Sequence, residues 1–324
     1  MVRKSGLVAL AVVLTFGLMS CSNEEAELAE KAKQQQATLD QALAAYKGGD
    51  FTTTLNLLRP LAEAGNTMAQ NNLGRMYYDG TGVPENDTEA VKWFQLAAEK
   101  GEPMAQLNLG AAYEYGNGLQ QDIEQALRWY RAAAQQGSPE AQVNLGRMYD
   151  EGLGVAQNPL AALRLFNLAA VQRLPEGEFD LAVLYASGRA APKNDAEALK
   201  WYMRAADQGF AEAQYTLGSL YEDGTGVMRD YAEAMRWYRR AAEQGHAGAQ
   251  NNIGRMYAEG LGVQKDEVKV LMWYELALPG LRGEEASSAL EYRDSVADEL
   301  PREDVDKAKE LATRCRDSGF KTCD

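Results

Sequence analysis

A single period organises this chain. Leu73, Leu109, Leu145, Leu181, Leu217 and Ile253 stand 36 residues apart, with a tyrosine four residues after each, from Tyr77 to Tyr257. Gly74, Gly110, Gly146, Gly218 and Gly254 follow the same leucines or isoleucine, with Ala182 in the fourth unit. A second series keeps the register: Trp93-Phe94, Trp129-Tyr130, Leu165-Phe166, Trp201-Tyr202, Trp237-Tyr238 and Trp273-Tyr274. No insertion or deletion interrupts the six units. A unit this short cannot bury an apolar face alone, so its core must come from stacking on its neighbours.

Each unit reads as two helices. Helix A runs from about Thr67 to Asp79, where Ala69, Leu73, Met76 and Tyr77 form one apolar stripe at helical spacing. It ends at Gly80-Thr81-Gly82-Val83, and glycine supplies the positive φ that a helix end requires. Helix B begins after Asn86, Asp122, Asn158, Asn194, Asp230 or Asp266, residues whose side chains satisfy free N–H groups at a helix start. Its stripe is Ala90, Trp93, Phe94 and Ala97. The glycine pairs do not form a phosphate loop: they follow a helix rather than a strand, and no Lys-Ser or Lys-Thr follows. The Trp-Tyr pairs, at helical spacing, are read as core rather than as a carbohydrate platform.

The fourth unit departs from the pattern. Arg173 replaces the glycine between repeats, Leu174-Pro175-Glu176-Gly177 replaces the usual entry, and Ala190 replaces the second turn glycine. Residues 281–324 leave the period, and Ala286–Leu300 and Arg302–Asp317 read as two terminal helices.

These residues closely resemble the Sel-one-like repeat (SLR) family, a relative of the tetratricopeptide repeats. The resemblance rests on Ala69, Leu73-Gly74, Tyr77, Gly80-x-Gly82-Val83, Ala90, Trp93-Phe94, Ala97-Ala98 and Gly101, with their counterparts every 36 residues over about residues 66–280. Phe51, Leu57, Leu58, Leu61, Ala62 and Gly65 extend it to a divergent first unit. The fold class expected is all-α, a right-handed α-solenoid of stacked helix–turn–helix repeats with a C-terminal helical cap. The expected division is a leader over 1–20, a tether over 21–36, a solenoid over 37–280 and the cap over 281–324.

The N-terminus reads as a processing signal. Arg3 and Lys4 precede an apolar run from Leu7 to Leu18, too short to span a bilayer and suited to a secretory signal. Leu18-Met19-Ser20-Cys21 resembles the lipobox of bacterial lipoproteins. That resemblance implies cleavage before Cys21 and lipidation of it, hence a membrane anchor in the cell envelope. The absence of Asp after the cysteine leans toward the outer membrane, facing the periplasm.

Formal net charge is −14, with 1 His and 3 Cys. An acidic chain does not offer the basic footprint that nucleic acid requires. The shortage of His and Cys argues against a clustered metal site, and no cofactor is expected. Cys315 and Cys323, an even pair in an exported chain, are expected to form a disulfide. His246 is read as a solvent-facing loop residue, with no nucleophile elbow to serve.

The candidate binding residues lie on helix A, about 140–160° from the core stripe at 100° per residue, on the side expected to line the concave face as in tetratricopeptide-like arrays. They are Asn71, Arg75, Arg147, Phe179, Tyr215, Asn251 and Arg255. Three arginines with two aromatic residues taken as exposed point to a protein or peptide ligand of acidic character. The resemblance implies a non-catalytic interaction scaffold of the envelope. It also implies an alternative, an immunity partner of a type VI effector such as a phospholipase. A third reading, an enzyme or binder acting on cell-wall β-lactams, belongs to cysteine-rich relatives; no cysteine occurs between 22 and 314.

Overall fold

The computed structural model describes residues 8–323, with side chains from residue 26 onward. The leader expected over 1–20 and the Cys21 thiol therefore lie outside the residues described in full. Among the described residues the structure is all helix, and consecutive helices pair as the period requires. By its contacts the chain divides into two compact units, Met1–Ser138 and Pro139–Asp324.

The first unit contains α1 (Val8–Lys47), α2 (Phe51–Glu63), α3 (Thr67–Tyr78), α4 (Asp87–Ala98), α5 (Pro103–Tyr115) and α6 (Ile123–Gln135). Its cores are Leu39, Ala42, Leu58, Ala62, Leu73 and Met76 at one end, then Ala90, Phe94, Ala97, Ala105 and Leu109. The segment expected as a tether is continuous with the helix that supplies Leu39 and Ala42.

The second unit contains α7 (Pro139–Glu151), α8 (Pro159–Val171), α9 (Pro175–Ser187), α10 (Asp195–Asp207), α11 (Ala211–Asp223), α12 (Tyr231–Ala242), α13 (Ala247–Glu259), α14 (Glu267–Ala277), α15 (Gly283–Glu299) and α16 (Arg302–Asp317). Both terminal helices pack on α14. Leu281, Ala289, Ala312 and Cys315 thereby join the core of Ile253, Met256, Trp273 and Tyr274.

Why these residues form these helices is visible at each start. Asp50, Asn86, Asp122, Asn158, Asn194, Asp230 and Asp266 each accept the backbone N–H three residues on, at 3.0–3.1 Å. At least one orphan donor per helix is satisfied this way, and two by Asp230. The same residues clamp the turn from the other side. The backbone N–H of Asn86 donates to the Tyr77 carbonyl at 2.8 Å, and Asp122, Asn158, Asn194 and Asp230 repeat the bond to Tyr113, Tyr149, Tyr185 and Tyr221.

The glycine of helix A sits under an aromatic ring of helix B. A Cβ at Gly74 or Gly110 would stand 2.7 Å from the Phe94 or Tyr130 ring. The second turn glycine rests on the start of the preceding helix B. A Cβ at Gly262, where φ is 66°, would lie 2.8 Å from the Tyr231 backbone.

A buried glutamine ties successive repeats. Nε2 of Gln70, Gln106, Gln214 and Gln250 donates to the carbonyl of Ala62, Ala98, Ala206 and Ala242 at 3.0–3.3 Å. Oε1 of Gln106, Gln142 and Gln214 accepts from Gln136, Gln172 and Gln244. The fourth unit carries Glu178 instead, 0% exposed, held by Gln208 at 2.6 Å and Arg204 at 2.8 Å. Beside it Arg173 keeps the left-handed backbone of the glycine it replaces, at φ 64°.

Candidate functional site

The outer face of helix A holds the candidate residues in a different condition from that expected. Asn71 is buried at 6% exposure and its Oδ1 accepts from Asn108 Nδ2 at 2.9 Å. Leu107 and Val143, its counterparts, are buried as well. The angle from the core stripe describes one helix alone. In the array, side chains from the next helix A cover part of the opposite side.

In the first unit Arg75 stays open. Its side chain is 56% exposed and stands 4.0 Å from Asp79. It lies between a cavity of about 90 Å³ reaching Leu43, Tyr46 and Met76 and one of about 320 Å³ reaching Tyr78, Met104 and Asn108. Leu43, Tyr46, Tyr78 and Met104 are exposed apolar or aromatic side chains. Tyr78 is steadied by Asn117, whose Nδ2 donates to its hydroxyl at 3.1 Å.

In the second unit the arginines are paired. Arg147 Nε meets Asp180 Oδ2 at 2.7 Å. Arg255 is held by Glu222 and, at 3.6 Å, by Glu259. The expectation of an acidic ligand rests on three arginines and two aromatic residues read as exposed; all three arginines have a carboxylate within ion-pair distance, Arg75 only at the 4.0 Å limit. Phe179 and Tyr215, taken as exposed, are partly buried. The Phe179 ring packs on Tyr202 and Phe210 at 5.5 and 5.4 Å. Tyr215 stacks on His246 at 4.6 Å and leans on Tyr238 at 5.8 Å.

His246 is not a free loop residue. It caps α13, with Nδ1 accepting the Ala249 N–H at 3.1 Å, which puts the ring proton on Nε2 facing Glu212 Oε2 at 3.0 Å. Sequence reasoning missed this because histidine is outside the usual capping set.

The neighbourhood of Tyr215 is electronegative. Burial pushes its phenol up, and the charges of Glu285, Glu212 and Glu222 add to that. Burial and the Glu222 charge likewise raise the Tyr238 phenol, which donates to Glu222 at 2.8 Å. Burial, with Tyr292 nearby, pushes Tyr274 up to about 12. Asn251 lines a cavity of about 360 Å³ with Arg255, Glu259, Tyr274, Glu285 and Tyr292. Its Oδ1 is shielded from solvent and has no hydrogen-bond donor.

Cys315 and Cys323 are joined by a disulfide with Cα atoms 4.6 Å apart. Among the described residues no group of His, Cys, Asp and Glu is placed to hold a metal ion, and no helix is long and apolar enough to cross a membrane.

The Sel1 repeat model matches residues 67–102, 103–138, 139–172, 175–210, 211–246 and 247–278. This chain belongs to the Sel1 repeat family. A Sel1 repeat protein from Oxalobacter formigenes is 31% identical, with TM-score 0.70, over 76% of this chain and 98% of that one. The structure of c5321, a protective antigen of uropathogenic Escherichia coli with an SLR fold, is 28% identical, with TM-score 0.54, over 89% of this chain and 71% of that one. No curated protein matches the sequence. Sel1 repeat solenoids are typically protein–protein interaction scaffolds and generally lack catalysis of their own.

Proposed function

We propose that this Sel1 repeat chain is a non-catalytic envelope lipoprotein that binds a protein partner on the outer face of its A helices. One observation carries the reading. The core register repeats without change, while the face around Arg75 and Tyr78 keeps exposed aromatic and apolar side chains beside open cavities. On helix B, by contrast, Phe94, Tyr130, Phe166 and Tyr238 are consumed beneath the helix A glycines. Aromatic and arginine anchors usually dominate interface energy, and Arg75 with Tyr78 supplies both types. The motif at Cys21 supports attachment to the membrane, since an N-terminal acyl anchor leaves the repeats free to meet a partner.

Affinity capture from the envelope fraction, read by mass spectrometry, identifies the partner. Arg75→Glu with Tyr78→Ala is expected to weaken capture by about 2 kcal/mol or more, some thirty-fold. Capture at full strength by that variant, and by Arg255→Glu with Tyr292→Ala in the second unit, would move the binding surface off helix A. Recovery of a secreted effector as the captured protein would make the chain an immunity partner; recovery of resident envelope proteins would make it a scaffold.

A further inference from the structure

We infer that the outward face of α8 is a self-association surface, which packs in antiparallel order on α8 of a second copy of this chain. The surface belongs to helix B and does not depend on the partner-binding face of helix A. Leu160, Leu168 and Val171 stand on it at 56%, 48% and 62% exposure, with Arg164 and Asn167 exposed between them. At 100° per residue these five share one side of the helix, an arc of about 100°. The other side, with Ala162, Phe166, Ala169 and Ala170, is spent in the core.

Charge singles out this helix. The chain carries a net charge of −14, so two copies repel wherever their carboxylates meet. Of the B helices, α4, α6, α10, α12 and α14 each contain Asp or Glu, and α8 contains neither. In the column of Arg164, Lys92, Lys200 and Arg236 each pair with a glutamate three residues earlier, at 2.8, 3.5 and 2.6 Å. Ala161 takes that place in α8, and among the described residues Arg164 has no carboxylate within ion-pair distance. Its guanidinium is left for an acceptor outside its own helix.

The order of side chains supplies that acceptor from a second copy. A two-fold axis at the level of Leu165 and Phe166 sets Leu160 against Val171 of the other copy and Leu168 against the partly exposed Leu163. It also sets Arg164 against Asn167, whose amide oxygen accepts from the guanidinium. Each contact occurs twice. The same operation does not suit the sister helices. It would set Arg128 on Arg131 in α6, Arg236 on Arg239 in α12, Thr88 on Glu99 at α4 and Ala196 on Asp207 in α10. The remaining B helix, α14, is covered by α15 and α16. An anionic lipid surface would also accept leucines beside one arginine, but it makes no use of an amide placed to meet that arginine by symmetry.

The test is a register-specific cross-link. Full chains carrying Leu160→Cys and Val171→Cys, each with its own epitope tag, are co-expressed and oxidised in cells. Non-reducing gels read the mixed-tag dimer, and the wild-type chain sets the background from its own cysteines. The mixed dimer is expected about ten-fold above the dimer of either variant with itself, because equivalent residues lie roughly 16 Å apart along the axis, beyond the span a disulfide closes. Asn167→Arg in both chains should cut the yield about ten-fold by setting arginine on arginine, although it lowers the net negative charge. Adding Arg164→Asn should restore the yield, since it exchanges the two paired groups.

Self-dimers of Leu160→Cys at the yield of the mixed pair would mean a different packing and overturn the inference. Background yield in every combination would leave α8 without a second copy and overturn it as well. Greater co-sedimentation of the Asn167→Arg chain with phosphatidylglycerol vesicles, with the mixed dimer at background, would overturn it in favour of an anionic lipid surface.

Discussion

Glu178 occupies a place that glutamine fills at Gln70, Gln106, Gln142, Gln214 and Gln250. A glutamine there can donate across the repeat junction and accept from its own helix B; an ionised glutamate can only accept. Burial raises the Glu178 carboxyl above its ordinary value of 4.5, and Arg204 and Gln208 pull partly against that. The folded chain therefore holds this proton to higher pH than the unfolded chain does. Stability from this residue is complete below the ordinary value and is lost as pH climbs through the raised one. Glu178→Gln restores the pattern of the other units. It is expected to stabilise the chain by about 1–2 kcal/mol at pH 8 and by little at pH 4, because a buried ion pair often gives less than a neutral replacement. Urea unfolding midpoints of both forms at the two pH values check it, and a gain that is equal at both would remove ionisation as the cause. The substitution was legible in the sequence, since one column of the period changes from amide to carboxyl. Its burial was not, because the wheel of a single helix does not show which polar residue bridges two repeats.

At the scale of the helix pair, the caps and the turn were readable because each has a local chemical cause. The six cap positions read from the repeats, Asn86 through Asp266, all hold the expected bond, and Asp50 adds a seventh in the divergent first unit. Asn194→Ala is expected to cost about 1 kcal/mol, seen as faster amide exchange in the first turn of α10. The exposed face of helix A was less legible. Its surroundings depend on the next helix A, whose distance and angle no local signal encodes; hence Asn71 is buried and Phe179 is packed on two rings. The C-terminal element carries a different constraint. The disulfide closes a loop that sets Phe320 against Gly245, where a Cβ would lie 3.3 Å from the ring. Loop entropy assigns the bridge about 2–3 kcal/mol. Cys323→Ser should raise amide exchange over residues 318–323 and around Gly245, while the α13–α14 pair keeps its protection. Global unfolding of the second unit by that change would show that the bridge carries its core.

For the whole molecule, attachment and binding are separable predictions. Cys21→Ser is expected to leave the repeats folded, with an unchanged circular dichroism spectrum, and to shift the protein from the membrane fraction to the soluble periplasm or to the uncleaved form. Identical fractionation of the two forms would remove the lipid anchor. The all-helical class and the repeat boundaries were accessible from sequence because a fixed period repeats the same evidence six times. The charge preference of the binding face was not. It depends on pairs such as Arg147 with Asp180 and Arg255 with Glu222, which are 33 residues apart and join adjacent repeats.

The residue that opens helix B has one further consequence, for how such a gene can change length. Asn86 caps its helix with its side chain and closes the preceding turn with its backbone, and Asp122, Asn158, Asn194 and Asp230 do the same. One residue added between Tyr77 and Asn86 would part the cap from the clamp and carry Gly82 away from Phe51, the helix start on which it rests. A whole period added between two units leaves every such bond intact. Descendants of this chain can therefore lengthen or shorten by recombination in steps of one repeat, with the reach of the binding face changing by whole increments, while small insertions are removed by the folding defect they cause.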